Sequence, residues 1–240
     1  MPAYRSKLTN RTEIAERTMA FKLEKPAGFQ FKAGQYADIT LLNPPQMDSQ
    51  GAVRTFSIAS APYEDHLLFA TRMRDSAFKR VFATVPLGTE VQLEGPMGSF
   101  TLHKNPSKPA IFLAGGIGIT PFRGMLRQAA KEKLQHKLYL FYSNRRPEDA
   151  AFLDELRDLS QSNTYLLFVP SMSEMERSKV DWTGERGFIN REMLAKHLPS
   201  LDGPIYYVAG PPAMVAAMRE MLTKAGVDED DLRTEEFGGY

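Results

Sequence analysis

Cysteine is absent from the 240 residues of this chain. That excludes disulfides, zinc sites built on thiolates and any iron–sulfur cluster held by its own side chains. Neither sign of charge is in excess: 30 Lys and Arg stand against 29 Asp and Glu, a net charge of +1 that argues against a broad nucleic-acid surface. The 4 His are scattered without H-x-x-x-H spacing, and no metal site is expected. The longest apolar run, 110–122, is too short and too glycine-rich to span a bilayer. The polar stretch from Met1 to Thr18 lacks the apolar core of a secretory signal, and the expected location is cytoplasmic. No internal repeat or low-complexity segment occurs.

With 42% apolar and 25% charged residues the composition is that of an ordinary globular protein, long enough for one large or two modest domains. Residues 8–104 read as antiparallel β structure. Candidate strands are Glu13 to Glu24, Tyr36 to Leu42, Arg54 to Ala59, His66 to Met73 and Glu90 to Gly95, each bounded by turn-forming residues, a spacing that suggests a closed barrel. A helix is predicted over Ser76 to Val85, with Ser76 as N-cap and Phe78, Val81 and Phe82 on one face. Near it Arg72, Arg74, Lys79 and Arg80 form a local basic cluster that could steer an acidic partner. Lys104 to Pro109 reads as a linker, after which strands alternate with helices, the signature of a parallel α/β sheet. Strands are predicted at 110–114, 137–142, 165–169, 204–209 and 232–237, and helices at 121–132, 147–159, 190–197 and 211–224. The expected domains are therefore 1–104 and 105–240.

Between the first α/β strand and its helix stands Gly115-Gly116-Ile117-Gly118-Ile119-Thr120-Pro121. Strand, glycine turn and helix form a phosphate-binding geometry, because the free N–H groups of the first helical turn and its dipole favour an anion. Pro121 occupies the place of the third glycine of G-x-G-x-x-G, and no Lys-Ser or Lys-Thr pair of a P-loop follows. Alone, the turn could equally be packing.

Taken together the motifs are more specific. Arg54-Thr55-Phe56-Ser57-Ile58-Ala59-Ser60, Gly95-Pro96-Met97-Gly98-Ser99-Phe100, the glycine turn, Gly210-Pro211-Pro212-Ala213-Met214 and Glu235-Glu236-Phe237 occur in that order. From about residue 8 onward the chain resembles the ferredoxin–NADP⁺ reductase superfamily, a flavin barrel followed by a pyridine-nucleotide domain. The resemblance implies an NAD(P)H-dependent flavoprotein reductase. It implies that Arg54 pairs with the flavin pyrophosphate, that Phe56 lies against the isoalloxazine and that Ser57 hydrogen-bonds its hydride-accepting nitrogen. Read without it, these are a solvated arginine, a core aromatic and an ordinary strand serine. Thr55, Thr71, Ser76, Gly95, Gly98 and Ser99 complete the implied flavin set, with a tight turn as the other reading of the Gly95 motif.

In the second half Gly115, Gly116, Gly118 and Thr120 would meet the nucleotide, and Gly210, Pro211 and Met214 would face the nicotinamide. Met214, Met218 and Met221 also follow the spacing of a core face. Ala209 replaces a cysteine that relatives carry. Glu235 is implied as proton carrier, and Phe237 or Tyr240 as the ring over the flavin. Ser143, Arg145 and Arg146 end the second α/β strand, where basic and hydroxyl groups favour the 2′-phosphate of NADPH over NADH. FAD is favoured over FMN. With no cysteine the electrons must leave to a separate acceptor, such as a ferredoxin, a flavodoxin or an oxygenase component. The alternatives are a free-flavin or ferric reductase and a slow-turnover redox-sensing or scaffold subunit.

Overall fold

The computed structural model describes residues 2–238. It divides into two compact units: the chain through Thr101 together with Thr120–Gln128, and Leu102–Ile119 with the chain from Ala129 onward.

The first unit holds β1 (Ala3–Ala15), β2 (Thr18–Glu24), β3 (Tyr36–Leu41), β4 (Val53–Ser57), β5 (His66–Arg72), β6 (Glu90–Met97) and one helix, α1 (Ala77–Thr84). Its antiparallel sheet runs β4-β3-β6-β1-β2-β5, and the terminal strands β4 and β5 approach each other, giving the expected barrel. The strand expected over Glu13 to Glu24 is in fact two, separated by a turn in which Arg17 takes φ 54° and donates its backbone N–H to Glu13 Oε1 at 3.0 Å. The polar N-terminus, not predicted as a strand, forms most of β1. Ala3–Lys7 pair with β6 and the stretch from Leu8 onward with β2. Pairing on both flanks holds this strand in place, so it needs little apolar alternation of its own.

The barrel interior collects Leu8, Phe21, Leu23, Ile39, Leu67, Phe69, Val91 and Leu93. Helix α1 closes it with Phe78, Val81 and Phe82, the face its spacing predicts, and Phe82 stacks on Phe21 with centroids 4.2 Å apart. The helical stretch Thr120–Gln128 packs on the same unit. There Arg123 Nη1 donates to the Ala59 carbonyl at 2.7 Å, and half-buried Glu64 lies 3.4 Å from both Arg123 and Arg127.

The second unit holds β7 (Ala110–Gly115), a 3₁₀ turn (Gly116–Gly118), β8 (Leu138–Asn144), α3 (Leu153–Ser162), β9 (Leu166–Met172), β10 (Glu185–Arg186), α4 (Arg191–His197), β11 (Ile205–Gly210), α5 (Pro212–Lys224) and β12 (Leu232–Glu236), while α2 (Ile119–Lys131) gives its middle, Thr120–Gln128, to the first unit. The sheet is parallel throughout, in the order β10-β9-β8-β7-β11-β12. One face is covered by Met193 and Leu194 of α4 and Val215, Met218 and Leu222 of α5, packed on Ile111, Leu113, Phe141 and Val208. Thus Met218 is core, as its spacing implies. The helix expected from Pro147 to Leu159 is broken: a 3₁₀ turn at Pro147–Asp149 is followed by Phe152 at φ 60°, and only then does α3 begin. The cause is local, because Asp149 turns back onto Arg146 at 2.8 Å.

Candidate functional site

In the barrel, β4 carries Arg54, Phe56 and Ser57 to the start of α1. Phe56 is half-buried against Phe69 and Phe78, with centroids 6.3 and 5.8 Å away. Ser57 is 5% exposed, yet its hydroxyl makes no hydrogen bond among the described residues. That hydroxyl is therefore open to an external acceptor or donor. The Arg54 guanidinium stacks over Phe78 at 5.4 Å and lies 3.4 Å from Ser76 Oγ. It is also held inside the chain. Nη1 donates to the carbonyls of Gln50, Gly51 and Val53 at 3.0, 3.0 and 2.7 Å, and Nη2 pairs with the Asp48 carboxylate at 3.1 Å. Ser76 stands at the N-cap position but its side chain caps nothing; Asp48, far away in sequence, accepts the Ala77 N–H at 2.8 Å instead.

Lys79, one turn into α1, donates to the Arg72 carbonyl at 2.9 Å and has no carboxylate partner among the described residues. Burial, then the charges of Arg74 and Arg54, push its ammonium down to about 8. The arginines and Lys79 together leave this pole of the barrel positive, which suits a phosphate. Thr71 is buried and Thr55 is tied to Asp38. Gly95 and Gly98 take φ 147° and 89°; a Cβ on Gly98 would stand 2.8 Å from the Tyr36 ring, so the turn is closely packed. Ser99 is exposed.

In the second unit the strand order reverses between β7 and β11, the switch point at which open parallel sheets bind ligands beyond their C-terminal strand ends. The glycine turn and Gly210 flank it. A Cβ on Gly118 would lie 2.2 Å from the Ala209 carbonyl oxygen, one on Gly210 3.2 Å from Gly115, and one on Gly115 2.2 Å from Met214 Sδ and 3.1 Å from Pro211 Cδ. These predicted residues are thus brought together, and three of the glycines are needed for that close approach. Gly116 differs: its φ is 53° and nothing lies within 4 Å of the Cβ it lacks. Its bare backbone faces open space, as a diphosphate cradle requires. Thr120 is 1% exposed.

On β12, Glu235 pairs in register with Ala209, and the Phe237 N–H donates to the Gly210 carbonyl at 3.0 Å. Glu235 Oε2 is buried and unpartnered, and burial pushes its carboxyl up to about 7. A carboxyl poised near neutrality can hold or release a proton under working conditions. Tyr240 lies outside the described residues. Arg146 is locked onto buried Asp149, whereas Arg145 is largely exposed and pairs with Glu174 only at 3.5 Å. Ser143 pairs in register with Gly115.

One feature went unread in the sequence. Beyond the end of β9 is a cavity of about 420 Å³ whose lining includes Met172, Ser173, Lys179, Val180, Trp182 and Arg186. The available signal was the polar stretch between two α/β elements, carrying the chain's one tryptophan with basic residues on both sides. Among the described residues no group of three or more His, Asp and Glu is placed to hold a metal, and no helix is long and apolar enough to cross a membrane.

Residues 112–220 match the family described as an oxidoreductase NAD-binding domain. The described fold is shared with the flavohem-like FAD/NAD binding domain of nitric oxide dioxygenase from Vibrio cholerae O1 biovar El Tor, with a TM-score of 0.84 over 98% of both chains at 19% identity. Ferredoxin–NADP reductase B of Sorangium cellulosum is 28% identical over 92% of this chain and 91% of its own length. Over residues 112–220 the chain thus matches an NAD-binding oxidoreductase family, and its fold is that of a ferredoxin–NADP⁺ reductase from Neisseria gonorrhoeae, with a TM-score of 0.79 over 98% of both chains. It is also similar to the reductase component of propane 2-monooxygenase from Rhodococcus jostii, 28% identical over 89% of this chain but only 57% of that protein. It spans less than two thirds of several such components.

The donor sets fit the groups that the resemblance implies. The unpartnered Ser57 hydroxyl and the positive pole of α1 suit a flavin phosphate and ring, and the open backbone at Gly116 suits a dinucleotide.

Proposed function

We propose that this protein is a flavin-dependent oxidoreductase that oxidises NAD(P)H and passes the electrons to a separate acceptor. The observation that carries the reading is Glu235 Oε2, a buried carboxylate oxygen with no partner among the described residues. Leaving such a group unpaired costs about 1–3 kcal/mol, a cost that function explains better than folding does. The barrel domain, 1–104, would hold FAD, or FMN, through Arg54, Phe56, Ser57, Thr71, Ser76 and the Gly95 turn. The second domain, 105–240, would hold the nucleotide through Gly115, Gly116, Gly118, Thr120, Gly210, Pro211 and Met214. Bound flavin supplies the ability to accept a hydride and release electrons singly.

The chain's own residues orient and protonate. Ser57 would offer the ring a hydrogen bond, Phe56 would offer it an apolar face, and Glu235, its carboxyl raised to about 7, would hold a proton for transfer. Trp182, Lys179 and Arg186 would receive the adenosine end of the nucleotide in their cavity. NADPH is the favoured donor because Arg145, exposed and loosely paired, can exchange Glu174 for a 2′-phosphate. Arg146 is held by Asp149 and contributes to the turn. The acceptor proposed is a ferredoxin, a flavodoxin or an oxygenase component, and the setting the cytoplasm.

The test is NADPH and NADH oxidation by protein reconstituted with FAD or FMN, read with ferricyanide as acceptor. Turnover with stoichiometric flavin supports the reading. Turnover only with excess free flavin would make the protein a free-flavin or ferric reductase, and flavin binding without turnover would make it a sensor or scaffold.

A further inference from the structure

The pole of α1 already contains an anion, and it belongs to the chain. The loop 42–52 between β3 and β4 places the Asp48 carboxylate on the Arg54 guanidinium at 3.1 Å and on the Ala77 N–H at 2.8 Å. A second oxygen contact, from the Gln50 N–H at 3.0 Å, fixes it within its own turn, which the Gly51 N–H closes onto the Asp48 carbonyl at 3.0 Å. A guanidinium and a helix N-terminal amide are also the donors a flavin phosphate would take. The reading that Arg54 binds the cofactor and the observed geometry therefore compete for the same hydrogen bonds.

We propose that Asp48 is an internal placeholder for the flavin phosphate: it holds Arg54 and the first turn of α1 in position, and a phosphate must displace it for flavin to bind. This inference rests on the flavin reading of the site. The charge balance makes the exchange feasible. Lys79 and Arg74 face the same pole without a carboxylate partner among the described residues, so it stays positive with Asp48 in place and attracts a more highly charged anion. The loop can yield. Asp48 is about a third exposed, Gly51 takes φ 71° with open space about it, and Met47 is 66% exposed, so release breaks no core packing. The Ala77 amide, then Gln50 and Arg54, hold the Asp48 carboxyl below its usual range, which keeps the placeholder charged at neutral pH.

The experiment compares FAD binding to the flavin-free full chain and to its Asp48→Asn variant, followed by quenching of flavin fluorescence. Asn keeps the size and one acceptor for the Ala77 amide while removing the charge, so the variant should fold, which a thermal melt checks. The expected result is FAD binding about three- to tenfold tighter in the variant, the range of a partly screened ion pair removed from the competing state. Hydrogen exchange on the native chain gives an independent readout: added FAD should speed exchange at the Gln50 amide while Ala77 stays protected. Equal or weaker FAD binding by the variant, or greater protection of both amides, would overturn the placeholder alone. If neither protein binds FAD, the flavin reading fails and the placeholder with it.

Discussion

Glu235 ties stability to chemistry at one carboxyl. Its folded value is raised from 4.5 to about 7 by burial, so the folded protein prefers it protonated. The linked stability is intact below pH 4.5, declines as pH rises toward 7 and is flat above, a loss of roughly 1–3 kcal/mol. Glu235→Gln should remove that decline: melting temperatures of variant and native protein should coincide near pH 4 and diverge by pH 8, with the variant higher. The same variant should lose turnover above all where a proton must be delivered. Ser57 makes the opposite case. Its hydroxyl makes no hydrogen bond among the described residues, so Ser57→Ala should leave the melting temperature almost unchanged while slowing flavin reduction about five- to tenfold, the effect of one hydrogen bond, in single-turnover absorbance.

Among the elements, the glycine turn separates packing from binding. Gly118→Ala would drive a methyl to 2.2 Å from the Ala209 carbonyl oxygen, and the rigid strand can move little; a loss of about 2–4 kcal/mol is expected in urea denaturation. Gly116→Ala meets no atom and bears only the positive φ, about 1 kcal/mol, but its methyl would stand in the proposed phosphate cradle. It should weaken NADPH binding more than tenfold while lowering stability only modestly. The two variants would thus reverse order between a denaturation curve and a binding titration.

Elements with strong periodicity were legible in the sequence. The face of α1 and the alternation of the α/β strands follow from where apolar residues must be buried. What escaped depends on partners distant in the chain. Strand β1 is fixed by pairing with β2 and β6, and β10 is a short edge pairing with β9, whereas the break before α3 is local, at the Arg146–Asp149 ion pair. At the site, Arg54, Ser57 and Glu235 stood out by motif. Asp48 and the cavity around Trp182 did not, since both are created by loops whose course no local pattern encodes.

For the whole molecule, each unit supplies one set of donors, and the account requires both to be used in a single turnover. Binding to the folded state alone raises stability by mass action, so FAD at a hundredfold excess over its Kd should add about 2.7 kcal/mol and shift the melting transition upward. The central claim is tested most directly by an anaerobic visible-absorption titration of the FAD-loaded protein with NADPH and, separately, NADH. Fast bleaching of the bound-flavin spectrum, faster with NADPH than with NADH, is the predicted result. A bound-flavin spectrum that neither nucleotide bleaches would contradict the account.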